Sequence, residues 1–348
     1  MRRQAPGTEC IEPMPRSGGR SVTVIMTVKN DPVGCATTLS SLTAQSRPPD
    51  EVVVVDGGST DDTLRVIRQY EQSVRNLTLI ESPGSNIAHG RNLAAGRASG
   101  EIIASIDSGC RAESEWLWEL VVPFESDPAT EFVAGVYRIE AHSLLEQVVG
   151  LATMPGQLTP VDPETYNPSA RSLALTKDLW HRAGGWPEWI CFSEDTLFDH
   201  KIRQMNAVWR FAGGAVVHWR PRGSLRSIAT QFYRYGTGRG HTQIDAASFL
   251  YNLRNLVMTG LAGALCLVTP WAAPAFWLLA GYFYLWAFHD KASRIVDRTQ
   301  RWVAYPTCLV VMWVILVSHL AGYLVGSWQW RRDRGRFQHR MEAYLAYS

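Results

Sequence analysis

Short apolar runs separated by polar stretches occupy the first part of the chain. Four runs rich in β-branched residues predict strands, over residues 22–27, 51–56, 77–80 and 101–106. Apolar residues follow one another in these runs instead of alternating with polar ones, so we expect a sheet buried on both faces. The stretches between them predict helices, over residues 33–45, 61–76 and 87–98. Alternating strands and helices indicate an α/β fold on a mostly parallel sheet.

The C-terminal part of the chain contains two long stretches without charge. Asp, Glu, Lys and Arg are absent between Arg254 and Asp290, and again between Arg301 and Arg331. A membrane-spanning helix needs about 20 mostly apolar residues, so the second stretch predicts a span. Pro270 and Pro274 interrupt the first stretch, which predicts two short spans joined by a tight turn. A helical bundle buried inside a soluble protein is the alternative.

These patterns predict four parts. They are a flexible N-terminal segment (1–20), an α/β domain (21–240), a membrane region with two or three transmembrane or re-entrant helices (241–330) and a basic tail of cytoplasmic type (331–348). We expect an integral membrane protein whose α/β domain faces the cytoplasm. Three full spans would place the tail outside, whereas a re-entrant first segment would export the basic loop at residues 291–301. The number of spans therefore stays open.

Composition and spacing exclude several other classes of protein. The formal net charge of +2 gives no basic excess for binding nucleic acid. Six cysteines lie far apart without metal-ligand spacing, which argues against a zinc site or a disulfide framework. The glycine-rich run at residues 236–240 lacks the strand-helix setting of a phosphate-binding loop. Oligomeric state is not indicated by the sequence.

Polar side chains stand at the ends of three predicted strands. Thr27, Asp56 and Asp107 each follow or close an apolar run. Ligands of parallel α/β sheets bind beyond the carboxyl ends of the strands. We therefore expect these three residues to converge on one ligand cleft.

The stretch VVVDGGSTD at residues 53–61 resembles the family-2 glycosyltransferases of GT-A fold. Other matching segments follow in the order found in that family, and together they cover about residues 20 to 240. They are TVKND (27–31), GRN (90–92), ASGE (98–101), IDSG (106–109) in the place of the DxD motif, AGGWPE (183–188), SEDT (193–196), HWRPR (218–222) and QFYRY (231–235).

The resemblance implies an inverting transfer of a sugar from a nucleotide-sugar donor. Such a displacement needs one base for the acceptor hydroxyl and positive charge for the departing diphosphate. We expect Asp195 to be the base, and Glu194 either to set its protonation or to touch the acceptor. A helix cap without a catalytic role is the alternative for Asp195.

Four residues are expected at the donor nucleotide. Asp56 is expected to accept a hydrogen bond from the nucleobase, with Thr27 and Asn30 lining the same end of the sheet. The planar fork of Arg91 matches phosphate oxygens and is expected at the diphosphate. The structural alternative for Asp56 is a turn aspartate, and for Thr27 and Asn30 it is strand-end capping. For Arg91 the alternative is an exposed helix arginine.

A divalent metal, Mg²⁺ or Mn²⁺, is expected at Asp107. One carboxylate, donor phosphates and water can hold such an ion. Gly109 stands where many members of the family have a second aspartate, so the metal site is expected to be reduced, with added backbone freedom. His218 is the candidate for a further ligand, and a hydrogen-bonded strand histidine is its alternative.

Three residues are expected at the acceptor. Trp186 follows two glycines and is expected to stack on an apolar face of the acceptor, with a core tryptophan as the alternative. Gln231 and Arg234 belong to a stretch that resembles the QxxRW element of membrane polysaccharide synthases, with Tyr235 in place of tryptophan. An amphipathic interfacial helix is the alternative for this stretch. Arg220, Arg222 and Arg234 are expected to meet either phosphate or anionic lipid head groups.

The sequence thus predicts a glycosyltransferase that acts on a lipid-linked or surface-glycan acceptor among membrane lipids. A polyprenyl-phosphate sugar synthase is the second enzymatic reading, because a phosphate acceptor needs little help from a base. The alternative from a different functional class is a catalytically silent membrane scaffold that binds nucleotide.

Overall fold

A computed structural model of the chain describes residues 19–346, apart from residues 155, 165 and 285–287. Most of the predicted N-terminal segment, residues 1–18, lies outside the described residues. The strands are β1 Val22–Val28, β2 Glu51–Asp56, β3 Leu77–Glu81, β4 Ile102–Ser105, β5 Cys110–Ala112, β6 Phe132–Ile139, β7 Leu173–Thr176 and β8 Trp209–Trp219.

Helices surround this sheet and form the C-terminal part. They are α1 Pro32–Thr43, α2 Thr63–Gln69, α3 Ile87–Arg97, α4 Trp116–Ser126, α5 Leu144–Thr153, α6 Lys177–Arg182, α7 Glu194–Gln204, α8 Leu225–Thr242, α9 Ala246–Val268, α10 Ala273–Tyr284, α11 Asp290–Thr299, α12 Ala304–Arg332 and α13 Arg334–Ala346. The predicted helix over residues 61–76 is shorter than expected and ends at Gln69.

The eight strands form one mixed sheet in the order β3-β2-β1-β4-β7-β6-β8-β5. The four predicted strands are confirmed, and they pair in parallel with one another. The expectation of a mostly parallel sheet holds for this half only, because β7 runs antiparallel to both β4 and β6. Strand β6 pairs in parallel with β8, and β5 pairs antiparallel with β8, so the second half of the sheet is mixed.

Both faces of the parallel half are buried, as its continuous apolar strands predict. Val24 and Met26 of β1 face a cluster that includes α1 and α4. Ile25 of β1 and Val53 of β2 face a second cluster that includes α3 and α7. The two layers hold the carboxyl ends of β1, β2 and β4 at one edge, where the predicted polar residues stand.

Glycines allow α8 to pack closely against α12. A Cβ atom at Gly236 would lie 2.1 Å from the His319 carbonyl oxygen, and one at Gly322 would lie 2.0 Å from the Tyr233 carbonyl oxygen. Side chains at these positions would push the helices apart. The run at residues 236–240 therefore serves helix packing, in agreement with its exclusion as a phosphate-binding loop.

The helix α12 is long and apolar enough to cross a membrane, judged among the described residues by length and composition. Its first half packs through Cys308 and Val311 into a buried cluster with α5 and α11. Beyond its other end, the Tyr344 hydroxyl of α13 donates a 2.9 Å hydrogen bond to the Gly185 carbonyl oxygen. Both ends of α12 are thus connected to the α/β domain.

An apolar hairpin stands beside these helices. It consists of α9, a 3₁₀ turn at Pro270–Ala272 and α10, which confirms the predicted break at Pro270. Near its tip, Leu267 is 89% exposed and Trp271 is 92% exposed. At its base, Phe249 stacks on Tyr323 of α12 with ring centroids 4.0 Å apart. The hairpin therefore meets the rest of the protein at its base and presents apolar side chains outward.

Candidate active site

A cleft of about 950 Å³ lies at the carboxyl edge of the sheet, between that edge and α8. Six of the residues predicted from the sequence line it: Thr27, Asn30, Asp107, Arg222, Gln231 and Arg234. A cleft of this volume is in the usual range for a cofactor or small-molecule ligand. The convergence of strand ends with the QFYRY helix, α8, is therefore observed.

Arg91 joins two carboxylates next to this cleft. Its Nη1 donates to Glu194 Oε1 at 2.7 Å, and its Nη2 donates to Asp107 Oδ1 at 2.9 Å. The Arg91 side chain is 5% exposed, and both of its outer nitrogens are occupied. The structure therefore departs from the expectation that Arg91 binds the diphosphate directly. Arg91 instead connects the end of β4 to the start of α7.

Arg171 is a second cation at Asp107, and no motif in the sequence predicts it. Its Nε lies 3.7 Å from Asp107 Oδ2 and has no hydrogen-bond partner. Its guanidinium stacks over Trp219 at 4.5 Å and lies 5.4 Å from the Tyr137 ring centroid. Arg171 and Trp219 both line the cleft. Because Arg171 belongs to no motif and meets its partners only through the fold, local sequence could not reveal it.

Charge controls the ionisation of Asp107. Its side chain is 28% exposed. Burial is the largest influence and opposes ionisation, but Arg91 and Arg171 outweigh it and hold the pKa of Asp107 below the ordinary value. Asp107 is consequently a carboxylate at neutral pH, facing the cleft with negative charge that its two arginines partly neutralise.

The predicted base stands in the first turn of α7. Ser193 is the N-cap and adopts a left-handed backbone, with φ of 64°. Glu194 is buried, whereas Asp195 is partly exposed and accepts a 2.8 Å hydrogen bond from the Thr196 amide. Asp195 is absent from the described residues that line the cleft, but Cys191 and Phe192 just before it do so. A strained N-cap here agrees with a functional position for the turn.

Burial and the neighbouring Asp195 raise the pKa of Glu194 to about 7, although Arg91 acts in the other direction. One turn further along α7, burial and Asp195 raise the pKa of Asp199 well above its usual range. Both Asp199 oxygens are buried without hydrogen-bond partners. The two buried carboxyl groups of α7, Glu194 and Asp199, therefore both hold their protons more strongly than ordinary carboxyl groups do.

Asp56 shapes a loop and is not open to the cleft. It is 1% exposed, and its Oδ2 accepts hydrogen bonds from the Gly58 and Ser59 amides at 2.9 and 2.8 Å. Asn30 connects to the same loop, because its Oδ1 accepts a 2.8 Å bond from the Thr60 amide. The nucleobase contact expected of Asp56 thus disagrees with its burial, and Asp56 has the position of the turn aspartate named as its alternative.

The donor set at Asp107 fits a cation only if the ligand supplies most of the coordination. Among the described residues there is no group of three or more His, Cys, Asp or Glu side chains that could hold a metal ion. The neighbouring Ser108 hydroxyl donates to Asp31 Oδ2 at 2.8 Å, and Gly109 has a φ of 85°. One carboxylate with phosphates and water is an accepted arrangement for Mg²⁺.

His218 does not complete this set, which corrects the expectation from the sequence. It lies on β8, where its Nε2 is 2.8 Å from Glu113 Oε1. Successive strand residues point to opposite faces. Since Trp219 faces the cleft, His218 faces away from it and takes the place of a hydrogen-bonded strand histidine.

Trp186 also departs from its expected role. It is 1% exposed and stacks on Phe198 in the core, with ring centroids 4.7 Å apart. A buried ring offers no face to an acceptor. Gln231 and Arg234 do line the cleft, where Arg234 lies over the Phe192 ring at 5.5 Å.

Part of the chain is similar in sequence to known proteins. Residues 23–171 match the profile described as Glycosyl transferase family 2. The chain is 36% identical over 101 residues to Glycosyltransferase AglE of Haloferax volcanii, covering 28% of this chain and 33% of that protein. It is 32% identical over 121 residues to Validoxylamine A glucosyltransferase of Streptomyces hygroscopicus subsp. limoneus, covering 32% of this chain and 27% of that protein. The matches thus span about a third of these relatives.

Solved structures share the fold over a longer range. The mannosyltransferase PcManGT of Pyrobaculum calidifontis, solved with GDP-Man and Mn²⁺, superposes with a TM-score of 0.56 and 21% identity, covering 90% of this chain and 88% of that one. GalNAc-T7, solved with UDP, GalNAc and Mn²⁺, gives a TM-score of 0.50 and 13% identity over 68% of this chain and 51% of that one. The predicted GT-A fold and family resemblance are confirmed.

The raised pKa of Glu194 predicts a pH-dependent stability. Between its ordinary value of 4.5 and its folded value of about 7, the folded protein keeps a proton that the unfolded chain has lost, so stability falls as pH rises. Glu194→Gln removes this effect. We expect the thermal midpoint of the variant, relative to wild type, to increase from about pH 5 to about pH 8.

Glu146→Gln is the matched control, because the Glu146 pKa is lowered; burial opposes this, and Arg220 and the His142 amide outweigh it. Its midpoint difference from wild type should stay constant over the same range, since the Glu146 carboxylate is ionised throughout in both states. A constant difference for Glu194→Gln as well would contradict the raised pKa.

Proposed function

We propose that this chain, whose residues 23–171 match the Glycosyl transferase family 2 profile, transfers a sugar from a nucleotide-sugar donor to an acceptor at a membrane surface. One observation carries the proposal. Buried Arg91 connects Asp107, at the cleft, to the first turn of α7, where Asp195 stands. A donor-side carboxylate and an acceptor-side base are thereby supported by one rigid connection.

The donor is proposed to lie along the carboxyl edge of the sheet. Thr27 and Asn30 would contact the nucleoside, and the diphosphate would lie near Asp107 and Arg171. The position of Arg171 supports this, because the residue lines the cleft and its guanidinium is held against the Trp219 ring, and such a group pairs well with phosphate oxygens. A divalent cation held by Asp107 and donor phosphates would add positive charge for the leaving group.

Asp195 is proposed to act as the general base. The acceptor hydroxyl oxygen forms a bond to the anomeric carbon while the bond from that carbon to the diphosphate oxygen breaks. Asp195 takes the hydroxyl proton, and the nucleoside diphosphate leaves with the bonding electron pair. A single displacement of this kind inverts the configuration at the anomeric carbon.

The acceptor is proposed to be lipid-linked or part of a surface glycan, because the cleft wall α8 packs directly on the apolar helix α12. The charge-free part of α9, from Asn255 to Val268, is about 21 Å long, and the described part of α10, up to Tyr284, is about 18 Å long. A bilayer has a hydrocarbon core of about 30 Å, which neither length can cross. We infer that the hairpin enters the membrane from the side of the catalytic domain and returns to that side.

The same inference puts the basic loop (residues 291–301) and the basic tail (residues 331–348) on one side of the membrane. Lys291 of α11 donates a 3.0 Å hydrogen bond to the Ala152 carbonyl oxygen of α5, and α13 contacts Gly185. Both segments then lie beside the catalytic domain, on the cytoplasmic side that basic residues favour. Under this arrangement α12 lies along the membrane surface.

The proposed reaction predicts a specific pattern of activity. Purified protein in detergent, incubated with a panel of nucleotide sugars and extracted lipid, should release nucleoside diphosphate from one donor. Asp195→Asn should lower this rate by about 10²- to 10⁴-fold, the usual contribution of a general base. Asp199→Asn is the matched control on the same helix and should remain active, because burial already disfavours the charge of Asp199 and the amide keeps the size of the side chain.

Three outcomes would count against parts of the proposal. Release from no donor, with or without lipid, would contradict the enzyme. Full activity in EDTA would contradict the cation at Asp107. Near-normal turnover by Asp195→Asn would contradict the base and favour a polyprenyl-phosphate sugar synthase, whose phosphate acceptor needs little base assistance.

The hairpin topology predicts one-sided labelling. Single cysteines in place of Asp245 and Asp290, in a variant without other cysteines, should react with a membrane-impermeant maleimide from the same side of sealed vesicles. A cysteine in place of Asp178, on the α/β domain, marks the catalytic side. Reaction of the Asp245 and Asp290 positions from opposite sides would contradict a re-entrant hairpin.

A further inference from the structure

We propose that the α8 wall of the cleft is a second anion subsite, which binds a phosphate group of the acceptor, separately from the donor diphosphate at Asp107. The inference rests on the proposed function and names the chemistry of its acceptor. The site consists of Arg222, in the segment before α8, and Arg226 on α8, with Ser227 and Thr230 beside them. All four residues line the cleft.

The sequence of α8 directs one polar face into the cleft. Residues 226, 227, 230, 231 and 234 all line it, at the spacing of one helix face. Arg226 and Arg234 are separated by eight residues, or about 12 Å along the helix axis. The wall therefore offers positive charge over a length greater than one phosphate, with hydroxyl groups between the two arginines.

These positive charges have no acidic partners. Within the part of the chain that the structure describes, no carboxylate lies within ion-pair distance of Arg222, Arg226 or Arg234. The other arginines near the site are neutralised differently: Arg91 and Arg171 face Asp107, and Arg220 pairs with Glu146 at 2.8 Å. Exposed arginines without acids in a concave site attract anions, and their planar forks match phosphate oxygens.

The position of α8 favours an acceptor phosphate over a general membrane contact. Its opposite face packs on α12 through Gly236 and Gly240, and its arginines point into the cleft. A lipid-linked phosphate could therefore enter the cleft while its hydrocarbon chain lies along the apolar helices. Head groups of bulk lipids would instead meet outward-facing basic residues.

The subsite is tested by binding, which does not require turnover. The probes are a long-chain prenyl phosphate in detergent micelles, the prenyl alcohol of the same length, and GDP and UDP. Arg222→Gln and Arg226→Gln should each weaken prenyl phosphate binding by roughly tenfold, the expected loss for one charge-assisted contact. Binding of the alcohol and of the nucleoside diphosphates should be unchanged.

Arg336→Gln is the matched control, because it removes one exposed positive charge from α13, away from the cleft. It should bind every probe like wild type. Prenyl phosphate binding that is unaffected by both α8-wall variants, or equally reduced by Arg336→Gln, would overturn the subsite. Reduced GDP or UDP binding in Arg222→Gln and Arg226→Gln would assign these arginines to the donor and would also overturn it.

The two proposals can fail independently. If no donor supports transfer but the α8-wall variants lose prenyl phosphate binding, the subsite stands and the proposed reaction fails. If transfer occurs and the variants bind prenyl phosphate normally, the reaction stands and the subsite fails. If the thermal midpoints of Arg222→Gln and Arg226→Gln equal that of the wild type, their changes in binding are local and do not come from a loss of folded protein.

Discussion

A buried guanidinium is the interaction on which the candidate site depends. Burying a charge is costly unless opposite charges and hydrogen bonds compensate it. Arg91 obtains both from Asp107 and Glu194, which come from distant parts of the chain. Neither carboxylate can move away without leaving the cation unpaired. This constraint fixes the end of β4 against the start of α7 and so determines where donor and acceptor chemistry can meet.

Much of the fold could be predicted from residues 20–110, because the continuous apolar strands β1 to β4 are a local signal with one dominant structural explanation. Asp107 could be found in the same way, as a polar residue beyond a strand end. The second half of the sheet was harder to predict. Strand β7 is four residues long, and its direction relative to β4 is set by the tertiary fold.

Side-chain roles were less predictable than positions. Arg91 and Asp56 lie close to where the motifs suggest, yet both are buried and bonded within the protein. Trp186 follows a Gly-Gly pair, which is equally compatible with a core position, and the structure places it there. Arg171 was missed because its function as a second cation depends on Asp107 and Trp219, which are far away in sequence. Local patterns identify residue types at an edge, but burial determines which atoms remain available.

The C-terminal helices extend the site toward the membrane. Gly238 allows α8 to approach the loop before α7, since a Cβ atom there would lie 2.1 Å from the Phe192 carbonyl oxygen. Glycines on the other face allow α8 to approach α12. One helix thus contacts both the loop that leads to Asp195 and the long apolar helix α12. The central claim concerns Arg91, and a double-mutant cycle tests it most directly. The free energy of unfolding should be measured at about pH 8, where Glu194 is ionised, for Arg91→Met, Glu194→Gln and both together. Arg91→Met should cost about 3–5 kcal/mol in wild type, and Glu194→Gln should reduce that cost by roughly 0.5–3 kcal/mol. An equal cost of Arg91→Met in both backgrounds would contradict the account.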